Sequence, residues 1–149
     1  MVLDITDTIT AALLAATNTT YTDFSNVAAT SSARYAGNSA KSASGGIQLR
    51  SKNSNSGIVS TVSGGRVKSV TITVESGSNP IDVYGNNTAY TGAADLYATG
   101  EGANQGTKIG TLTATGTIDF TAAADQYAYV GIRSNDGAIY VTSVEIVWE

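Results

Sequence analysis

Apolar residues in this chain recur at every second position, and that spacing constrains the fold more than any other feature. KSVTITVE sets Val70, Ile72 and Val74 against Ser69, Thr71 and Thr73, and the final run puts Val144, Ile146 and Trp148 on one face. Successive side chains of a strand point to opposite faces, so such alternation describes a strand with one buried and one solvated side. GGIQLR repeats the pattern with Ile47 and Leu49 against Gln48 and Arg50, and PIDVY with Ile81 and Val83 against Asp82 and Tyr84. TIDF offers Ile118 and Phe120, and YAYVGIRS offers Val130 and Ile132 opposite Tyr127, Tyr129 and Arg133. Pro80, the only proline, stands at a strand entrance, where its missing N–H costs least. By its phase, Trp148 belongs to the core.

One apolar face per strand predicts an all-β fold of two antiparallel sheets packed face to face, a β-sandwich of jelly-roll type, with a closed barrel as the competing architecture. Turn signals separate the runs. Asp136–Gly137 within SNDG is the strongest hairpin signal. Helical punctuation appears once: Thr10 can cap AALLAA, predicting a short N-terminal helix over 11–16 that Asn18 ends. If successive strands alternate in direction, SGG (63–65), the GNNTAYTGAA loop and SNDG share one end, while SKNSNS, SGSN, GEGANQG and TAAADQ share the other.

At 149 residues the chain is one domain spanning 1–149, able to bury roughly 70% of its unfolded surface without a metal or disulfide. It has no cysteine and no histidine, which excludes Ser–His and Cys–His nucleophiles and His- or Cys-ligated zinc. Net charge is −4 with scattered basic residues, which argues against nucleic acid as a partner. No apolar run approaches the roughly 20 residues of a membrane span, so no membrane insertion is expected. The opening MVLDITDTIT lacks the basic and apolar regions of a signal peptide. Either a signal or a larger parent has been cut away, or the chain reaches its destination without that route.

Candidate chemistry narrows quickly. Glu75 and Glu145 lie on polar strand faces and Glu101 in a loop, with nothing pairing them for glycoside hydrolysis, so no enzyme activity is expected. No cofactor is expected. A structural calcium would draw on Asn86, Asn87 and Asp95 at one end or Asp125 at the other, although Asx turns account for the same residues. The stretch VYGNNTAYTGAADLY is the clearest ligand signal, since sugars present apolar C–H faces and rings of hydroxyls to Tyr and Asn side chains. It nominates Tyr84, Asn86, Asn87, Tyr90 and Tyr97, with Arg133 and Asn135 near the same end, and Tyr90 as an exposed ring. Arg50 and Arg133 end their strands in similar contexts, IQLRSKN and VGIRSND, where each could grip a carboxylate or pair with Asp82 or Asp119.

YAGNSAKSASGGIQLRSKNSNSGIVSTVSGGRVKSVTITV, IDVYGNNTAYTGAADLY, QGTKIGTL and YAYVGIRSNDGAIYVTSVEIVW, with TYTDF upstream, resemble a β-sandwich accessory module of secreted and surface proteins of gut bacteria. Such modules are appended to extracellular nucleases, glycan-degrading enzymes and adhesin-like chains, and similar domains could be carried by phages. The resemblance spans Tyr35–Trp148 and implies a non-catalytic role binding carbohydrate or a cell-surface glycan, in an extracellular or cell-surface setting. It carries over no site residues. The alternative is a structural or adhesive building block of a bacterial surface or phage virion, in contact with neighbouring domains or subunits. The Met start favours the second, and the Tyr–Asn loop the first.

Overall fold

The computed structural model describes residues 4–51, 54–121 and 126–149. Its strands are β1 (Ile5–Ile9), β2 (Thr22–Ala28), β3 (Arg34–Lys41), β4 (Ile47–Leu49), β5 (Gly57–Val62), β6 (Val67–Ser76), β7 (Ile81–Asn86), β8 (Thr107–Leu112), β9 (Gly116–Asp119), β10 (Tyr129–Ser134) and β11 (Ile139–Trp148). The alternating runs of the sequence fall in β4, β6, β7, β9, β10 and β11. The other strands lack that signature for physical reasons. The first four residues of β5 are buried, so both its faces are covered, whereas β2 is largely exposed.

Every ladder among the described residues is antiparallel, and the hydrogen bonds run along one path, β8-β7-β10-β5-β3-β4-β11-β6-β9. The path curls until its end strands meet. A Cβ added to Gly110 on β8 would come within 2.7 Å of Ile118 Cδ1 on β9, so the sheet is nearly barrel-shaped. β3 makes the corner, pairing with β5 along Arg34–Asn38 and with β4 at Ala40 and Lys41. β1 and β2 branch off this path, β1 on β11 and β2 on β3. The interior is filled from all sides by Ile47, Leu49, Ile58, Ile72, Ile81, Val83, Ile132, Ile139, Val144 and Ile146, with Trp148 among them at 1% exposure.

Three expectations are corrected. The helix over 11–16 is a single turn: Leu14 N–H bonds Thr10 O at 3.1 Å and Leu13 N–H bonds the Thr10 hydroxyl at 3.2 Å, as a cap would. It stops because Ala15 turns left-handed (φ 56°), and one turn fixes too many dihedrals per hydrogen bond to propagate alone. SNDG forms a turn but no hairpin. β10 pairs with β7 and β5 while β11 pairs with β6, β4 and β1, so the turn carries the chain across the structure. Ser134 Oγ closes it on Gly137 O at 2.6 Å.

The loop sorting is the third. Residues 87–106 are one connection with a single 3₁₀ turn over Ala93–Tyr97, and no strand divides them. GNNTAY therefore packs against GEGANQG, the Asn86 amide donating to Asn104 Oδ1 at 2.8 Å. SNDG joins SGSN at the opposite end, where Asn135 N–H bonds Pro80 O and Asn79 bonds Ala138 O. SKNSNS and TAAADQ lie partly outside the described residues.

Candidate functional site

The 87–106 connection folds back over the outer side of β7, β10, β5 and β3, and a second small core forms beneath it from Ala36, Val59, Tyr84, Tyr90 and Leu96. Glycine makes the seat. A Cβ on Gly131 in β10 would lie 2.6 Å from Leu96 Cδ2, so only a bare backbone lets the 3₁₀ turn settle there. The expected exposed ring at Tyr90 is thus corrected: it is 1% exposed, and its hydroxyl donates to Gln105 O at 2.8 Å. Tyr84 is buried at 5% beside it. Burial pushes the phenols of both Tyr84 and Tyr90 up. The rings hold the connection down, which is why they sit amid so much Gly, Asn and Ala.

Asn86 and Asn87 serve the same end. Asn86 Oδ1 accepts Thr88 N–H at 3.0 Å, and Asn87 Oδ1 accepts Ala128 N–H at 3.0 Å. Asp95 Oδ2 accepts the Thr91 N–H at 2.8 Å. Asn86, Asn87 and Asp95, nominated for calcium, each have a side-chain oxygen engaged with a backbone donor, and Asp125 lies outside the described residues.

Tyr97, Arg133 and Asn135 lie at the other end. The Arg133 guanidinium stacks 4.0 Å from the Tyr97 ring centroid, and the Tyr97 hydroxyl donates to Ser56 O at 2.7 Å. Ser56 Oγ in turn accepts the Arg50 N–H at 3.1 Å. Arg50 repeats the arrangement, its guanidinium 4.7 Å from the Tyr21 ring centroid. The two similar contexts, IQLRSKN and VGIRSND, thus deliver two arginine-on-tyrosine stacks to one face. Among the described residues Arg133 pairs with neither Asp82 nor Asp119: Asp82 faces Thr111 at 2.7 Å and Lys108 at 3.7 Å, and Asp119 bonds Thr121. Asn135 is exposed beside Arg133.

From Tyr21 the face continues into a polar cleft of about 240 Å³ lined by Thr19, Ser42, Ser44, Gln48, Glu75 and Tyr140. Gln48 and Tyr140 are cross-strand partners on β4 and β11 and point outward, because their neighbours Ile47, Leu49, Ile139 and Val141 point in. The Ser42 hydroxyl lies 2.8 and 2.9 Å from the two Glu75 oxygens and fixes the carboxylate at the cleft wall. Burial raises the Tyr21 phenol to about 12, opposed by Arg50 and reinforced by the nearby Tyr140 and Tyr97. Tyr97 is raised by burial and partly offset by Arg133.

Tyr21, Gln48 and Tyr140 were not singled out by sequence reasoning. Tyr140 had a usable signal, an aromatic on the polar phase of a clean strand. Tyr21 had none, since only the pairing of β2 with β3 brings it to Arg50. Compared with known families, curated proteins and solved structures, the chain matches no family model, no curated protein and no solved structure.

Proposed function

We propose that the chain is a non-catalytic extracellular binding module that recognises carbohydrate through the face running from the Gln48–Tyr140 cleft to Tyr97 and Arg133. The observation that carries this reading is one cleft lined by the half-buried Tyr140 with the Gln48 amide, the Glu75 carboxylate and the Ser42 and Ser44 hydroxyls, with the half-buried Tyr21 close enough to Tyr140 and to the half-buried Tyr97 to interact electrostatically with both. Partly exposed rings meet sugar C–H faces, and the amide, carboxylate and hydroxyls meet ring hydroxyls. The fold reading that accompanies it is a jelly-roll sandwich with β3 passing between layers, supported by its divided pairing with β5 and β4. Tyr140 and Trp148 are eight residues apart on β11, roughly 26 Å, so the face lies at the far end from the paired chain ends.

A glycan array on the intact protein, followed by titration of Tyr140→Ala, tests the reading. Saccharide binding that falls at least about ten-fold in the variant at unchanged melting temperature supports it. No binding to any saccharide, together with concentration-dependent assembly in light scattering, would favour a structural building block of a cell or virion surface.

A further inference from the structure

Building on the carbohydrate reading, we infer that the ligand is an acidic saccharide, and that Arg133 receives its carboxylate. Among the described residues no carboxylate lies within ion-pair distance of Arg133. The acid directly opposite it in register, Asp82, is 2% exposed and is turned to Thr111 and Lys108 instead. The guanidinium is nevertheless held in place. Nε–H donates to Ser134 O at 3.1 Å, Nη1–H to Leu96 O at 3.2 Å, and the plane lies on the Tyr97 ring. Among the described residues, Nη2 and the second Nη1 hydrogen meet no hydrogen-bond acceptor.

A cation fixed by stacking and by two backbone carbonyls, with donors to spare, is preorganised for a planar anion, because little side-chain freedom remains to be lost on binding. Glu75 lines the Tyr140 cleft, its carboxylate held by Ser42. The face thus offers the Arg133 cation in one place and the Glu75 carboxylate in the cleft. A saccharide with a uronate or sialate at one end and neutral hydroxyls at the other fits that arrangement.

The test uses matched probes on the full chain: oligogalacturonate against its methyl ester, and sialyllactose against lactose. The expected result is that at least one acidic probe binds about ten-fold or more tighter than its neutral partner, and that added salt erodes the difference. Arg133→Lys keeps the charge but loses the stacked fork, and Arg133→Gln loses both, so each should weaken the acidic probe more than its neutral partner and narrow the preference. Equal binding of acidic and neutral probes overturns the inference while leaving the carbohydrate reading intact. Binding of no saccharide overturns both. A preference that survives Arg133→Gln at matched folded fraction assigns the anion elsewhere and overturns the role of Arg133.

Discussion

The indole N–H of Trp148 donates to Asp7 Oδ2 at 3.2 Å, joining residues 141 positions apart in the chain. The same carboxylate oxygen accepts the Tyr35 and Ser31 hydroxyls, each at 2.5 Å, while Oδ1 accepts the backbone N–H groups of Thr30 and Ser31 at 2.9 and 2.7 Å. Asp7 is fully buried with no cationic partner among the described residues, and hydrogen bonds stand in for the counter-charge. Its position explains the expense. β1 and β2 branch from the path where β4 ends, and Asp7 on β1 ties β11 to β3 and to the loop after β2.

Asp7→Ala should therefore cost more than about 3 kcal/mol, because it strands several buried donors at once. Chemical denaturation at neutral pH reads this directly. A loss below about 1 kcal/mol would mean that water takes over the network.

Acid sensitivity follows from the same group. Burial alone would raise the Asp7 carboxyl, but the bonds from Ser31, Tyr35 and Thr30 outweigh it and hold the carboxyl below its ordinary 3.8. A depressed folded value means stability that is present above pH 3.8 and lost as pH falls through the lowered value. Asp7→Asn, already uncharged, should show a shallower acid limb in melting temperature against pH.

At the alkaline side the sign reverses. Burial raises Tyr21 to about 12 and also lifts Tyr35, Tyr84, Tyr90 and Tyr97 above the ordinary 10.0. The folded state keeps these protons longer than the unfolded chain, so stability present below pH 10 declines as pH rises above it. Ultraviolet titration should show a late phenolate phase that loses amplitude in Tyr21→Phe.

Tyr90→Ala should lower stability by about 3–5 kcal/mol, as loss of a buried aromatic does. Tyr90→Phe should cost about 1 kcal/mol, the net value of its bond to the Gln105 carbonyl. Thermal melts of the two variants separate ring from hydroxyl.

Gly131→Val should unseat Leu96 and loosen the Ala93–Tyr97 turn, costing about 1–3 kcal/mol as overpacking does. Faster amide exchange over 87–106, with β6 and β11 still protected, is the expected signature. Uniformly faster exchange would show that the connection and the main core unfold together.

The interior strands were legible because alternation reports a single buried face: Val70 and Ile72, Val144, Ile146 and Trp148 all point inward. The connection was not. Tyr84 and Tyr129 were read as outward and do lie on the outer face, but that face is covered by chain returning from Asn87 to Gly106. Periodicity distinguishes the two faces of a strand and cannot tell a solvated face from one roofed by a loop. The signal that could have been used was Gly131, a glycine inside an otherwise regular strand. The binding face was half legible. Arg133 and Tyr97 were named, and the similarity of the two arginine contexts was visible, but Tyr21 reaches Arg50 only through pairings distant in sequence.

Ile5 stands opposite Trp148 and Asp7 opposite Ile146, so the start of β1 and the end of β11 lie side by side. A tensile load applied between them would pull β1 from β11 crosswise and break their ladder one rung at a time, as a zipper opens. Such a geometry offers little mechanical resistance until the third rung, where the Asp7 carboxylate is clamped by donors from β3, β11 and the loop after β2. Toughness under tension would then reside in one side chain rather than being shared along a sheared strand.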